Sequence, residues 1–171
     1  MENHFALFQM PARFDIDAGQ LDAAYRELQG RVHPDKFAAA SDAEKRVAMQ
    51  WATRANEAYQ TLKHPLKRAI YLCELNGVDL GIESNTAMPS AFLMQQMEWR
   101  EALDDARNAK DLNALENLDS ELGILRREQL AQTGRLLDEA RYAEAGERVR
   151  ALMFLEKFGE EVVRAFEALE A

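Results

Sequence analysis

The residues best suited to act on another molecule are His33-Pro34-Asp35-Lys36-Phe37, which interrupt a stretch of helical periodicity. Proline lacks an amide hydrogen and fixes its own φ, so Pro34 halts the helix before it and stiffens the turn that follows. An aspartate on such a turn is an acceptor-only carboxylate facing solvent, and it offers a charge-assisted hydrogen bond to an arginine of a partner protein. Arg26 and Arg31 upstream, with Lys36 beside it, give that carboxylate a positive surround. The plainer alternative is that the tripeptide only terminates a helix, and three residues alone make a weak motif.

Other reactive residue types are poorly placed for chemistry. His64, before Pro65, is a candidate phosphate acceptor of a histidine phosphotransfer bundle, but it falls at a helix boundary and not mid-helix. Cys73 lies on the apolar face of its segment with no histidine close in sequence, so it reads as a small core side chain. Trp51 and Trp99 read as core aromatics. One cysteine and three histidines exclude a multi-thiolate zinc site. With no glycine-rich phosphate loop and no catalytic triad, the expectation is a protein that is not an enzyme and carries no metal and no cofactor.

The elements that must position these residues are helical throughout, because spacings of three and four recur and period-two alternation does not persist. All four prolines precede residue 90, which leaves the 82 residues after Pro89 free to form long helices. A short amphipathic segment covers about residues 3 to 9. The second helix runs from about 18 to 32, with Asp17 as N-cap and Leu21, Ala24, Tyr25, Leu28 and Val32 on one face. The third starts after the capping box Ser41-x-x-Glu44 and ends near Lys63, with Ala48, Trp51, Ala52, Ala55, Tyr59 and Leu62 as its stripe. Pro65 opens a fourth helix that Asn76-Gly77 closes. Periodicity then lapses until Met88, and three helices follow at about 90 to 107, 111 to 138 and 142 to 169, joined tightly enough to run antiparallel. The expected organisation is an N-terminal unit over 1–76, a linker over 77–88 and a C-terminal three-helix bundle over 89–171.

A second candidate site emerges from helical angles. At 100° per residue, Phe92, Trp99, Leu103 and Ala106 form a core stripe, while Leu93, Met94 and Met97 fall on the far side among Glu98, Glu101, Asp104 and Asp105. A methionine-rich strip rimmed by carboxylates suits an adaptable protein contact. On the last helix Leu155, Val162, Phe166 and Leu169 face inward, which leaves Phe154 about 100° away and able to join that strip. The competing use of these residues is internal packing between the two halves.

Charge narrows the partner class. The net −9 is unevenly divided: residues 1 to 76 hold ten basic and ten acidic side chains, and the remainder holds eleven and twenty. An acidic second half with no basic stripe argues against nucleic acid. No apolar run is long enough to span a bilayer and the N-terminus lacks signal-peptide order, so a cytoplasmic protein without a membrane partner is expected.

The run Tyr25 to Phe37, between two amphipathic helices, resembles helix II, the loop and helix III of a J-domain. The stretch Phe92-Leu93-Met94-Gln95-Gln96-Met97-Glu98-Trp99-Arg100-Glu101, with Lys63-His64-Pro65-Leu66 and the chain length, looks like the bacterial HscB family along essentially the whole sequence. The resemblance implies an all-α co-chaperone: a J-domain at 1–76 that stimulates the ATPase of a DnaK-type chaperone (HscA-like), and a bundle that binds the IscU-type scaffold of iron-sulfur cluster assembly. It assigns His33, Pro34, Asp35, Lys36, Arg26 and Arg31 to the chaperone, and Leu93, Met94, Met97, Glu98, Glu101, Asp105 and Phe154 to the scaffold. Asp105 stands where the family pattern has glutamate, a change of reach and not of charge. Gly30 and the sparse basic residues of the second helix depart from J-domains richer in lysine and arginine, and imply weaker docking. A general J-domain adaptor for unfolded clients is the alternative within the same resemblance.

Overall fold

A computed structural model of the chain describes residues 3–81 and 88–170, and among them finds seven α-helices and no strand. They are α1 (His4–Leu7), α2 (Ala18–Val32), α3 (Asp42–Lys63), α4 (Pro65–Leu75), α5 (Ser90–Ala109), α6 (Leu112–Asp138) and α7 (Tyr142–Glu170), with a 3-10 turn at Pro34–Phe37 between α2 and α3. Helix starts are set locally. Asp17 accepts from the Gly19 and Gln20 amides at 2.8 and 3.2 Å, Ser41 from Glu44 at 3.2 Å, and Asp111 from Ala114 at 3.1 Å. The α5–α6 and α6–α7 hairpins close through single left-handed residues, Lys110 (φ 52°) and Ala140 (φ 61°). The following amides reach back to Ala106 O (2.9 Å) and Leu136 O (2.8 Å), which satisfies otherwise orphaned carbonyls.

Two apolar clusters hold these elements. The first gathers Phe5, Phe8, Leu21, Leu62, Ala69 and Leu72 from α1–α4 together with Leu137, Val149 and Leu152 from the adjoining ends of α6 and α7. The second fills the three-helix bundle with Trp99, Leu103, Leu115, Leu122, Leu155, Phe158 and Val162. The segment before α2 is clamped onto α6: the Asp138 carboxylate accepts from the Phe14 and Asp15 amides at 2.7 and 3.1 Å. The Phe14 ring lies under the Arg68 guanidinium, 4.6 Å away, and against Gly134, where a Cβ would fall on the ring itself.

The sequence expectations are met in element order and miss in particulars. The first helix is one turn, His4–Leu7, and α5 runs to Ala109. Trp51 is 37% exposed and is not a core aromatic. The first cluster is built from Ala58, Leu62 and the elements near the C-terminal end of α3, so the end that carries Trp51 has less to pack against, and Arg54 covers the ring at 5.4 Å instead. The start of the expected linker is packed: Val78 and Leu80 lie against the first cluster, and Arg150 Nη2 donates to the Asp79 carbonyl at 2.8 Å. Residues 82–87 of that linker lie outside the described residues.

Two helical glycines should respond oppositely to alanine. A Cβ on Gly30 meets nothing within 4 Å, so Gly30→Ala should raise stability by about 0.5–1 kcal/mol through helix propensity alone. Gly134→Ala must displace a clamped Phe14 ring and should cost about 1–3 kcal/mol as an overpacked contact. Urea unfolding monitored by circular dichroism measures both.

Candidate functional site

The His33–Phe37 loop sits at the tip of the α2–α3 hairpin, and its geometry follows from its own residues. His33 is extended (φ −60°, ψ 135°), as the position before proline requires, and its carbonyl accepts from Lys36 N at 3.0 Å. The His33 Nδ1 accepts the Asp35 amide at 3.2 Å. Nδ1 also lies 3.6 Å from Asp35 Oδ2, close enough for an ion pair if the ring were protonated. Through the bond from the Asp35 amide the imidazole caps the turn. The Asp35 side chain is 92% exposed. Pro34 fixes φ, the histidine fixes the next amide, and the acid is presented outward.

Behind the loop, a polar ladder sets the register of α2 against α3. The Tyr25 and Tyr59 rings stack at 4.0 Å, Tyr25 Oη donates to Asn56 Oδ1 at 3.1 Å, and Tyr59 Oη and Lys63 Nζ donate to Asp22 Oδ1 at 2.7 and 2.9 Å. The hydrogen bonds from Lys63 and then Tyr59 hold the Asp22 carboxyl below its ordinary range, and the Asp22 partner raises Lys63. Of the expected basic surround, Arg26, Arg31 and Lys36 are all exposed, and Arg31 pairs with Glu27 one turn away.

On α5 the two faces separate as the wheel predicts. Trp99, Leu103 and Ala106 are buried, while Leu93, Met94 and Met97 are 43, 63 and 72% exposed. Glu98, Glu101 and Asp105 are exposed beside them. The three apolar side chains are therefore not consumed by packing between the halves. Phe154 of α7 is half-buried, edge-on to Phe92 at 5.8 Å and stacked with Phe158 at 5.7 Å, and it lines one cleft with Leu93. The loop and the α5 strip do not adjoin: α5 packs on α6 and not on the α2–α3 hairpin.

The remaining candidates have structural places. His64 caps α4, its Nδ1 accepting the Lys67 amide at 3.3 Å, and its Nε2 faces Glu156 of α7 at 3.6 Å. Cys73 is fully buried, and burial pushes its thiol up to about 11. Among the described residues no group of three potential ligands could hold a metal ion, and no helix is long and apolar enough to cross a membrane. Sequence reasoning missed Asp138 as the clamp on Phe14 and Asp15, and missed Arg150 and Lys157 beside Phe154. Only proximity across helices could have indicated them.

The chain resembles known proteins along nearly its whole length. Residues 88–163 match the family described as the HSCB C-terminal oligomerisation domain. A relative from Burkholderia mallei (strain SAVP1), a co-chaperone protein HscB homolog, is 59% identical over 169 residues, covering 99% of this chain and 97% of its own. The solved structure of chaperone HscB from Vibrio cholerae superposes with a TM-score of 0.85 at 38% identity, over 98% of this chain and 99% of that one. The crystal structure of human co-chaperone protein HscB gives 0.88 at 27% identity, over 95% and 81%.

Two measurements follow from the ionisable groups. A buried, protonated thiol is a poor nucleophile, so Cys73 should resist maleimide at about pH 8 in the folded protein and label once denaturant unfolds it. Rapid labelling of the native protein would contradict its burial. Because the Asp22 carboxyl is lowered on folding, its contribution is present above the unfolded carboxylate range and is lost as pH falls through the folded value. Asp22→Asn should therefore flatten the acid limb of a stability–pH curve, measured by denaturant midpoints.

Proposed function

The chain belongs to the HscB co-chaperone family, and from that premise we propose that it stimulates the ATPase of a DnaK-type chaperone, HscA-like, and delivers an IscU-type iron-sulfur scaffold protein to it. ATP is bound and hydrolysed by the partner. The chaperone meets His33, Pro34, Asp35 and Lys36 with Arg26 and Arg31; the scaffold meets Leu93, Met94, Met97, Glu98, Glu101, Asp105 and Phe154. The corresponding units are a J-domain at 1–76, a linker at 77–88 and a scaffold-binding bundle at 89–171.

The observation that carries this reading is the Asp35 carboxylate, nearly fully exposed on a turn stiffened by Pro34 and capped by His33. A rigid acceptor loses little entropy on meeting a guanidinium, and a bidentate, charge-assisted pair is directional enough to select one state of the chaperone. Arg26, Arg31 and Lys36 steer a negatively charged partner surface toward the loop without occupying the carboxylate. On the other side, the exposed Leu93, Met94 and Met97 supply an apolar centre and the α5 carboxylates a polar rim, the usual anatomy of a specific interface. A protein that holds both partners raises the concentration of one at the other.

Stimulated ATP turnover of the chaperone, measured with and without scaffold, tests the proposal. Asp35→Asn should abolish stimulation and leave scaffold affinity unchanged. The double variant Leu93→Ala/Met97→Ala should lose about 2 kcal/mol or more of scaffold binding, roughly a thirtyfold weakening, while basal stimulation persists. Loss of both activities in both variants would contradict two separable sites, and equal binding of denatured proteins in general would favour a general adaptor.

A further inference from the structure

Beside the exposed strip of α5 lies a cleft of about 330 Å³, at the seam between the two apolar clusters. Leu80, Met88, Leu93, Met153 and Phe154 give it an apolar lining, and the charged residues among that lining are Arg150 and Lys157, both of α7. Arg150 is fixed at the wall by the hydrogen bond it donates to the Asp79 carbonyl, and its buried Nε has no hydrogen-bond partner among the described residues. Lys157 is exposed and forms no ion pair among the described residues. Two nearby carboxylates are turned elsewhere, Glu156 to His64 at 3.6 Å and Glu161 to Arg100 at 3.4 Å. On the α5 side the cleft is lined by Leu93 and Gln96, and Glu98, Glu101 and Asp105 are exposed farther round the same helix, past Leu93. At the cleft itself α7 thus contributes two cations beside an apolar slot, and the exposed carboxylates of α5 flank the apolar strip that continues from it; one turn farther on, Arg100 of α5 and Glu161 of α7 pair in the opposite sense.

Resting on the scaffold-binding reading above, we propose that this cleft receives one large apolar side chain of the scaffold protein, and that Lys157 and Arg150 pair with an acidic residue flanking it while the α5 carboxylates meet basic residues on its other side. An apolar slot alone binds any hydrophobic side chain in any orientation. Cations at the slot and carboxylates on the far side of the adjoining α5 strip penalise the reversed orientation, because that would set like charges together, and so they fix the register of docking. The occupant is a folded surface with an ordered acid–apolar–base pattern, and an unfolded segment selected for hydrophobicity alone would not need it.

Calorimetric titration of the full chain with an IscU-type scaffold, at low and high ionic strength, decides the matter, with thermal melts confirming that each variant is folded. Lys157→Glu should raise Kd about tenfold at low salt, with the difference shrinking as salt screens the rim. Lys157→Met, which removes charge without adding repulsion, should raise it about threefold, and Lys157→Arg should stay within about twofold of wild type. Leu93→Ala should weaken binding at either salt concentration. Wild-type affinity in Lys157→Glu, or equal weakening in Lys157→Arg and Lys157→Glu, overturns the assignment of an acidic partner residue. If Leu93→Ala still weakens binding in that case, the scaffold-binding reading survives. No binding by the wild-type protein removes both.

Discussion

The apolar cluster shared between α1–α4 and the adjoining ends of α6 and α7 governs the rest of this structure. Phe5, Leu21, Leu62 and Leu72 bury themselves with Leu137, Val149 and Leu152. Each such side chain contributes about 1.5–3 kcal/mol on removal from water, so their joint burial far exceeds what the few polar contacts at the seam can supply. The polar contacts orient it. Asp138 takes two amides of the segment before α2, and Phe14 fits against Gly134 only because no Cβ stands there. An interface built as a continuous core, and not as a polar contact between modules, leaves the two halves little freedom to rotate.

That constraint gives meaning to the separation of the two candidate surfaces. The Asp35 loop depends on the α2–α3 hairpin, whose register is held by the Tyr25–Tyr59 stack and the Asp22–Tyr59–Lys63 hydrogen bonds. The α5 strip depends on Trp99 and Leu103, which anchor the opposite face of that helix in the second cluster. Neither surface contributes to the fold of the other, and the seam holds both at a fixed distance. On the proposed function, a partner docked at one would meet a second partner at a defined position, the geometric requirement for delivery from one protein to another.

Charge is distributed to the same end. The first 76 residues are neutral overall, with Arg26, Arg31 and Lys36 exposed on the α2 and loop segments that carry Asp35, whereas the remainder carries the entire net −9. On α5 the acids lie where no core requires them, next to methionines that no core uses. Buried orphan donors mark the reverse side of this arrangement. Trp99 Nε1 and Arg150 Nε are both enclosed without acceptors among the described residues, an expense that the surrounding aromatic and apolar packing of α5 and α7 has to offset.

What the sequence settled alone is what local physics controls. Helix starts were legible because Asp17 and Ser41 satisfy amides only two or three residues away, as Asp111 proves to do in the structure. The exposure of Asp35 was legible because proline stiffness acts within one turn, and the structure added the His33 cap on its amide. The two faces of α5 were legible because a helical period converts spacing directly into direction. Tertiary structure decided the rest. Trp51 sits on the predicted stripe yet is exposed, because a stripe says which way a residue points and not whether another element reaches it. His64 came to face Glu156, Asp138 became the clamp on the segment before α2, and Arg150 and Lys157 came to the cleft beside Leu93, all through contacts with residues distant in the chain. Periodicity has no access to such pairings, because they depend on which helices meet and at what depth, and that is fixed only when the apolar clusters close.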